Sequence, residues 1–451
     1  MIRLTESLGM KETDPYLKKF EWFETESRRP AWLFPLRKSG IARFAEIGFP
    51  TPRDEDWRFT NVAPIANLPF KPVLKPSVES LDAEGIAKST FGRLEAARLV
   101  FVDGHYVEEL SAPGRLPPSV VVGSLADALG GEFAALEKNL GRWAPDETGP
   151  FAALNMAFFQ DGAFILVPPG QVLETPVHLL FISTAKETGA TSHPRNLILA
   201  GAGSRATVLE SYASLEDAPG FTNAVTELAL EEGAVVEHCK FQNEDVNAFH
   251  IAALNVRLGP KSNLVSHSIA TGARLSRNNI RVCLAGAGAE CVLNGLYLTR
   301  ADQLADHHMV VEHAAPHCAS HEYYNGILEG RSKGVFHGRI LVRPDAQKTD
   351  AKQTNKNLLL SEEATVDTKP QLEIYADDVK CTHGATVGQL SEESIFYLRS
   401  RGLAAETARR MLIHAFAGEI IERIRHKPAR EELDRLIWDR LEANPHVAEK
   451  K

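Results

Sequence analysis

From about residue 151 to residue 390 the chain consists almost entirely of short apolar or alternating segments, and this stretch restricts its possible folds more than any other feature. Alternation predicts β-strands, because successive side chains of a strand point to opposite faces. Turn-forming residues separate the segments, and almost nothing between Gly162 and Leu390 has helical spacing. The predicted strands are Ala163–Val167, Val177–Ile182, Asn196–Leu199, Ala206–Tyr212, Ala224–Leu230, Ala234–Phe241, Ala252–Leu258, Leu264–Ile269, Asn278–Leu284, Glu290–Leu298, His307–His313 and Val335–Val342.

The length of this stretch favours a repetitive β-architecture. A single sandwich or barrel seldom needs about 230 residues, whereas a parallel β-helix extends easily because each coil buries its inner face on the next. The repeats are too degenerate to give a period. The pattern alone therefore favours a β-helix only slightly over a double sandwich.

The residues before this stretch, 1–150, are expected to form a mixed, largely helical domain. Asp14–Pro15 is typical of a helix start, and a second helix is predicted over Ala31–Ile47. The segment Leu99–Val107 has the pattern of a hairpin around an Asp-Gly turn. Ala144–Pro150 contains turn formers and marks the boundary to a β-domain over 151–390.

Residues 391–451 are predicted to form a helical domain. Ser391 is a suitable N-cap for its first helix, and the second carries one broad apolar stripe between Thr407 and Ile424. Two interpretations are equally favoured: a cap over the open end of the β-domain, or a docking surface for another chain. The stripe consists of Ala408, Leu412, Phe416, Ile420 and Ile424.

Composition argues against several classes of protein. The net charge of −9 argues against a nucleic-acid-binding protein. Five scattered cysteines without a C-x-x-C pair argue against a disulfide framework or zinc ribbon and favour a reducing cytosol. The N-terminus carries Arg3, Glu6, Lys11 and Glu12, which argues against a signal peptide, and no apolar run is long enough to span a bilayer.

The segment Lys380–Gly388 is the first candidate site, because it lies between the predicted strands and the predicted helices. On a strand, Cys381 and His383 would stand on one face. Thiolate and imidazole together suit iron, copper or zinc. The alternative, a small buried cysteine beside a structural histidine, is more common for an isolated C-x-H.

A denser histidine block, residues 307–321, is less convincing as a metal site. On a strand His307 and His313 share one face while His308 and Glu312 share the other, so the set does not converge. The glycine clusters at 201–203 and 286–288 precede strands and are typical of turns.

The sequence also contains no G-x-x-x-x-G-K-[ST] motif, so the chain is not expected to be a P-loop ATPase. Pro52–Thr60 is interpreted as a charged loop held by one aromatic side chain.

Several long segments resemble the SufB/SufD family of iron–sulfur cluster assembly proteins, most densely between about 305 and 425. The form of the C-T-H-G-A-T segment is closer to the SufD branch than to the SufB branch. The matching segments are Trp57–Thr60, Ala153–Asn155, Gly162–Ile165, Gln353–Ser361, Pro370–Gly388 and Phe396–Gly402.

This resemblance implies a right-handed parallel β-helix core, and a non-enzymatic scaffold subunit that pairs with a SufB-like paralogue and a SufC-like ABC ATPase. It implies that His383 helps to form a transient cluster at the paralogue interface and is a candidate metal ligand, whereas Cys381 receives no firm role. The C-terminal helices, with Leu412, Phe416 and Ile420, are expected to bind the ATPase.

Other questions stay open at the level of sequence. These are whether the isolated chain holds a cluster or a flavin, and whether it forms a homodimer. The competing function is a β-helix carbohydrate lyase or hydrolase, which would require convergent acids or a basic residue on the helix face. A third candidate function is that of a stand-alone metal-binding protein that uses the histidine block.

Overall fold

A computed structural model of the protein describes residues 13–26, 30–79, 81–131, 133–143, 149–184, 186–215 and 219–442. The polar N-terminal residues, and the predicted boundary except Gly149 and Pro150, lie outside these ranges. The helices are α1 (Asp14–Glu26), α2 (Leu33–Ile47), α3 (Ala63–Ala66), α4 (Ala83–Lys88), α5 (Leu125–Gly130), α6 (Ala134–Asn139), α7 (Pro150–Phe158), α8 (Glu392–Ser400), α9 (Ala405–Ile421) and α10 (Lys427–Glu442), with 3-10 turns at Glu55–Trp57 and Glu108–Leu110.

The strands account for most of the chain after residue 160. They are β1 (Lys71–Pro72), β2 (Ala97–Val102), β3 (His105–Tyr106), β4 (Val121–Ser124), β5 (Ala163–Val167), β6 (Val177–Ser183), β7 (Ala190–Ser192), β8 (Arg195–Ala200), β9 (Arg205–Ser214), β10 (Phe221–Leu230), β11 (Val235–Asn243), β12 (Phe249–Leu258), β13 (Asn263–Ala270), β14 (Leu275–Leu284), β15 (Glu290–Thr299), β16 (Leu304–His313), β17 (Ala319–Leu328), β18 (Lys333–Val342), β19 (Asp350–Leu359), β20 (Thr365–Ile374) and β21 (Lys380–Gly388).

Consecutive strands alternate between two sheets, which makes the core a parallel β-helix. The even strands from β8 to β20 are neighbours in the first sheet, and the odd strands from β9 to β21 are neighbours in the second. Each coil thus adds one strand to each sheet, and paired residues in adjacent coils lie about 30 positions apart in the sequence. The predicted fold class is confirmed, and the near-tie with a double sandwich is resolved in favour of the β-helix.

The core lies between the two sheets because alternate residues of every strand point inward. On β12 these are Leu254, Val256 and Leu258, which join one continuous apolar cluster running through the coils. Full burial of one such side chain stabilises the fold by about 1.5–3 kcal/mol. Turns between coils use glycine where backbones meet: a Cβ on Gly286 would lie 2.1 Å from the Pro260 nitrogen. The glycine clusters are therefore turn residues, as predicted.

The N-terminal region forms a layer on the outer face of the first sheet. Aromatic residues of α1, α2 and α7 pack against outward-facing Phe221, Phe249 and Leu275. The predicted hairpin is confirmed, with β2 and β3 antiparallel across a turn at Asp103 and Gly104. Strand β2 also pairs with β6, and β4 pairs with β5, so backbone hydrogen bonds cross the predicted boundary at residue 150.

The C-terminal helices lie along the outer face of the second sheet rather than over its end. The Ser391 hydroxyl accepts a hydrogen bond from the Ser394 amide at 3.1 Å, so the predicted N-cap of α8 is confirmed. The apolar faces of α9 and α10 pack on outward-facing residues such as Leu209, Phe241 and Ile327. The interpretation of these helices as an end cap is therefore wrong, because the apolar residues on which they pack lie on the outer face of the sheet.

No helix among the described residues has both the length and the apolar character needed to cross a membrane.

Candidate functional site

The last strand of the β-helix, β21, places Cys381 and His383 on the same face. In its parallel register with β19, Cys381 lies opposite Ala351 and His383 opposite Gln353. Both partners are buried and belong to the inward-facing set of β19. Since parallel neighbours keep the same orientation, Cys381 and His383 also stand on the inner side of their coil. The expected side-by-side placement is confirmed.

The end of the β-helix leaves this inner side accessible. Strand β21 is the terminal strand of the second sheet, and β20 is the terminal strand of the first. Nearly all residues of β21 are exposed, His383 among them, whereas alternate residues of β19 are buried. No described strand pairs with the outer edge of β21, which therefore presents backbone N–H and C=O groups, and such an edge pairs readily with another chain.

Cys381 is half-buried at this open end and is not an activated thiol. It packs beside a small apolar cluster that includes Ile340, Val342 and Ala351. Partial burial raises the pKa of the Cys381 thiol, and the carboxylate of Asp350 raises it further. The thiol is therefore protonated at neutral pH, and its conversion to a metal-binding thiolate would need a nearby cation or metal.

A buried polar row leads from the interior to His383. The register aligns Glu322 on β17 with Gln353 on β19, and Gln353 with His383 on β21. The Gln353 amide donates a hydrogen bond of 2.7 Å to Glu322. Burial raises the pKa of the Glu322 carboxyl to about 7. The row therefore contains a carboxyl group that changes protonation near neutral pH, two coils from the imidazole.

Further polar side chains fill the interior at the middle coils. The Lys240 ammonium donates hydrogen bonds to His250 at 2.8 Å and to Asn278 at 2.7 Å. Burial lowers the pKa of Lys240 to about 8. A neighbouring imidazole, His238, lies 3.1 Å from the carboxylate of Glu210. The polar groups of the middle coils therefore pair with one another inside the sheets.

The histidine block does not form a metal site by itself, as the alternation of a strand required. His307 points inward and contacts the Ser268 hydroxyl at 3.2 Å, and burial lowers its pKa to about 3. His313 also points inward, 2.8 Å from the Ser320 hydroxyl. His308 points to the opposite, outer face of β16, where it meets residues from other parts of the chain.

The charged loop at residues 52–60 is held by its aromatic residue, as predicted. Trp57 is buried within the N-terminal layer, and the Arg277 guanidinium lies 3.7 Å from the centre of its ring. The Arg277 side chain also donates a hydrogen bond of 2.8 Å to the Asp56 carbonyl. This loop is thereby fixed against the outer face of the first sheet.

The three stripe residues named for partner binding occupy different environments on α9. Ile420 is only 2 % exposed and packs in the cluster that attaches α9 to the second sheet. Phe416 is partly buried against the same cluster, and Leu412 is also partly buried. Their role in partner binding stays a prediction, and Ile420 is inaccessible while α9 keeps this position.

The neighbouring helix α8 presents apolar side chains that sequence reasoning did not select. Phe396 is 72 % exposed and Tyr397 is 57 % exposed, whereas Ile395 alone is buried on this helix. Phe396, Leu403 and Ala404 border an open groove between α8 and α9. In the sequence, the only sign of this surface is two adjacent apolar residues, Phe396 and Tyr397. They lie outside the apolar stripe, and helical periodicity does not place them in a core.

Comparison with known proteins matches nearly the whole chain to two family models. Residues 181–416 match the SUF system FeS cluster assembly SufBD core domain, and residues 10–179 match the SufBD protein N-terminal region. The chain is 33 % identical to the iron–sulfur cluster assembly protein SufD of Escherichia coli, over 93 % of this chain and 95 % of that protein. It is 32 % identical to a SufBD family protein of Synechocystis, over 93 % of this chain and 94 % of that protein.

Proposed function

Because the chain belongs to the SufBD family of iron–sulfur cluster assembly proteins, we propose that it is a SufD-like scaffold subunit, not a catalyst, which helps to build a transient cluster together with a SufB-like paralogue. The observation that carries the proposal is the open last coil, where His383 is exposed on the inner side of a terminal strand. A cytoplasmic location is part of the same proposal.

The free edge of β21 supports a partner at this end. A second chain that adds a strand there would satisfy the unpaired backbone groups and cover the inner side of the coil. His383 would then face the partner. A homodimer could use the same edge, and the paralogue is preferred because the described residues around His383 supply no three-ligand metal group.

In the proposed complex the His383 imidazole contributes its lone pair to iron of the nascent cluster. Cluster iron is cargo in this scheme and is handed on. Cys381 is assigned no ligand role, because burial and Asp350 keep its thiol protonated.

ATP hydrolysis is assigned to a SufC-like ABC ATPase bound at the C-terminal helices. The exposed pair Phe396 and Tyr397 on α8 offers apolar anchors next to the partly buried Phe416. Anchors of this kind supply about 2 kcal/mol or more each to an interface. Removal of residues 403–451 is a poor test, because it would also uncover the apolar outer face of the second sheet.

The deciding experiment compares complexes purified anaerobically after co-expression with the two partners. We expect His383→Ala to leave complex formation intact and to reduce iron and acid-labile sulfide sharply. His383→Lys should fail equally, since a protonated ammonium has no lone pair. His321→Ala, a half-exposed histidine on the outer face of the same sheet, is the control.

Wild-type cluster content in the His383→Ala complex would refute the proposed role of this residue.

For the ATPase contact, Phe396→Ala should weaken capture of the ATPase at least tenfold, which corresponds to about 1.4 kcal/mol. Undiminished capture by the Phe396→Ala chain would move that interface elsewhere.

A further inference from the structure

Two histidines from adjacent coils meet on the outer face of the first sheet, whereas Cys381 and His383 lie on the second sheet. His308 on β16 and His337 on β18 are direct register partners, and their ring centroids lie 4.3 Å apart. The carboxylate of Asp56 stands over them, with Oδ1 3.5 Å from Nε2 of His308. One donor atom from each of the three residues lies within 4.8 Å of the other two.

The turn that carries Asp56 is held in place by its neighbours. Trp57, the next residue, is buried beneath Arg277, and the Arg277 side chain is hydrogen-bonded to the Asp56 carbonyl. On the other side, Glu55 forms an ion pair of 2.6 Å with Lys369 on β20. The carboxylate is thus positioned by contacts on both sides of the turn, while its own oxygens stay accessible.

The Nε2 atom of His337 is buried and has no hydrogen-bond partner among the described residues. A buried polar atom left unpaired costs about 1–3 kcal/mol, so such atoms normally have a ligand or water. Beside it lies a cavity of about 280 Å³ bordered by His308, His337, Asp56 and Trp57. The unpaired nitrogen therefore belongs to a space that can accept an ion and its remaining ligands.

The positive side chains around the cavity are largely neutralised by carboxylates. Arg277 lies 2.6 Å from Asp306, and Arg339 lies 3.5 Å from Glu373. Arg281 also borders the cavity. The Asp56 carboxylate belongs to neither of these pairs, and it lies beside the two imidazoles.

We propose that Asp56, His308 and His337 bind a divalent first-row metal ion, zinc(II) or iron(II). Two imidazoles and one carboxylate suit both ions, and the cavity leaves the remaining coordination positions to water or a small ligand. The site is independent of the cluster position proposed at His383.

The test uses the full-length protein, stripped with a chelator and titrated with zinc(II) by calorimetry and with cobalt(II) by visible absorption. We expect one tight site with a tetrahedral or five-coordinate cobalt spectrum. His337→Ala and Asp56→Asn should each weaken binding at least about tenfold and alter the spectrum. Asp56 is largely exposed, so Asp56→Asn is expected to keep the fold even if His337→Ala does not.

The matched control is His321→Ala, which removes an imidazole on the second sheet. This variant should bind zinc(II) like the wild type. The proposal is overturned by unchanged binding in Asp56→Asn and His337→Ala, by loss of the site in His321→Ala, or by failure of the wild type to bind either metal. It is also overturned if inorganic phosphate binds there and zinc(II) does not.

Discussion

The middle coils and the last coil of the β-helix use the same inward-facing positions but leave them in different surroundings. Glu322, Gln353 and His383 occupy one row, yet the first two are buried and the third is exposed. A polar residue covered by the next coil can only stabilise or destabilise the fold. The same position at the end of the stack is open to another molecule, because no further described coil covers it.

The largest contrast is expected between a buried and an exposed ion pair. Glu227 is fully buried beside Arg195 and also accepts hydrogen bonds from Gly141 and Trp143. Glu227→Gln leaves a buried guanidinium without its counter-ion and should lower the free energy of unfolding by about 3–5 kcal/mol.

At the last coil, Asp378 pairs with Lys348 in solvent, and Asp378→Asn should change the free energy of unfolding by less than about 1 kcal/mol. Urea denaturation of both variants measures the difference. Equal losses would contradict the expectation that burial sets the cost of breaking an ion pair.

Next in size is a stabilising change in the buried row. Burial raises the pKa of Glu322 from 4.5 to about 7, so the folded protein loses stability as the pH rises from about 4.5 to about 7 and no further above it. Glu322→Gln should therefore raise the free energy of unfolding by on the order of 3 kcal/mol at pH 8 and by only about 1 kcal/mol at pH 5. Denaturation curves at the two pH values provide the test, and a gain independent of pH would contradict it.

The smallest contrast uses the same substitution at two inward positions. Val311 on β16 is fully buried, and Val311→Ala should cost about 2 kcal/mol through lost apolar contact and a residual cavity. Val387 on β21 is 50 % exposed, and Val387→Ala should cost less than about 0.5 kcal/mol in the isolated chain.

Thermal unfolding of the isolated chain, repeated with the paralogue bound, sharpens the comparison. Val387→Ala should lower the free energy of unfolding appreciably only when the partner covers the last coil. A large cost of Val387→Ala in the isolated chain would mean that the end is already covered.

Much of the fold could be predicted because strand alternation is a local property. The segments from Ala163–Val167 to Val335–Val342 appear as strands with ends shifted by a few residues. The strand β19 was harder to recognise, because Asp350, Gln353 and Asn355 are polar even though the last two point inward. Periodicity could not distinguish a strand with polar inward-facing residues from a polar loop.

The candidate sites show the same limit. The pair Cys381 and His383 is local to one strand, so its shared face was predictable. The grouping of His308 with His337 depends on the length of one coil, and the addition of Asp56 depends on how the N-terminal layer folds back on the sheet. Arg277 and Asp306 are 29 residues apart, and so are His308 and His337. This spacing indicates a contact only once the register of the coils is known.

The position of the C-terminal helices has a consequence for how the protein is made. Outward-facing Leu209 and Phe241 are synthesised long before the residues of the C-terminal helices that cover them, such as Ile420 and Ile437. During translation much of the outer face of the second sheet therefore stays uncovered until α9 and α10 are made, although Phe91 already packs on Phe241. Because bare apolar surface promotes aggregation, a nascent chain stalled before α9 should depend on chaperones, whereas the finished chain covers this face itself.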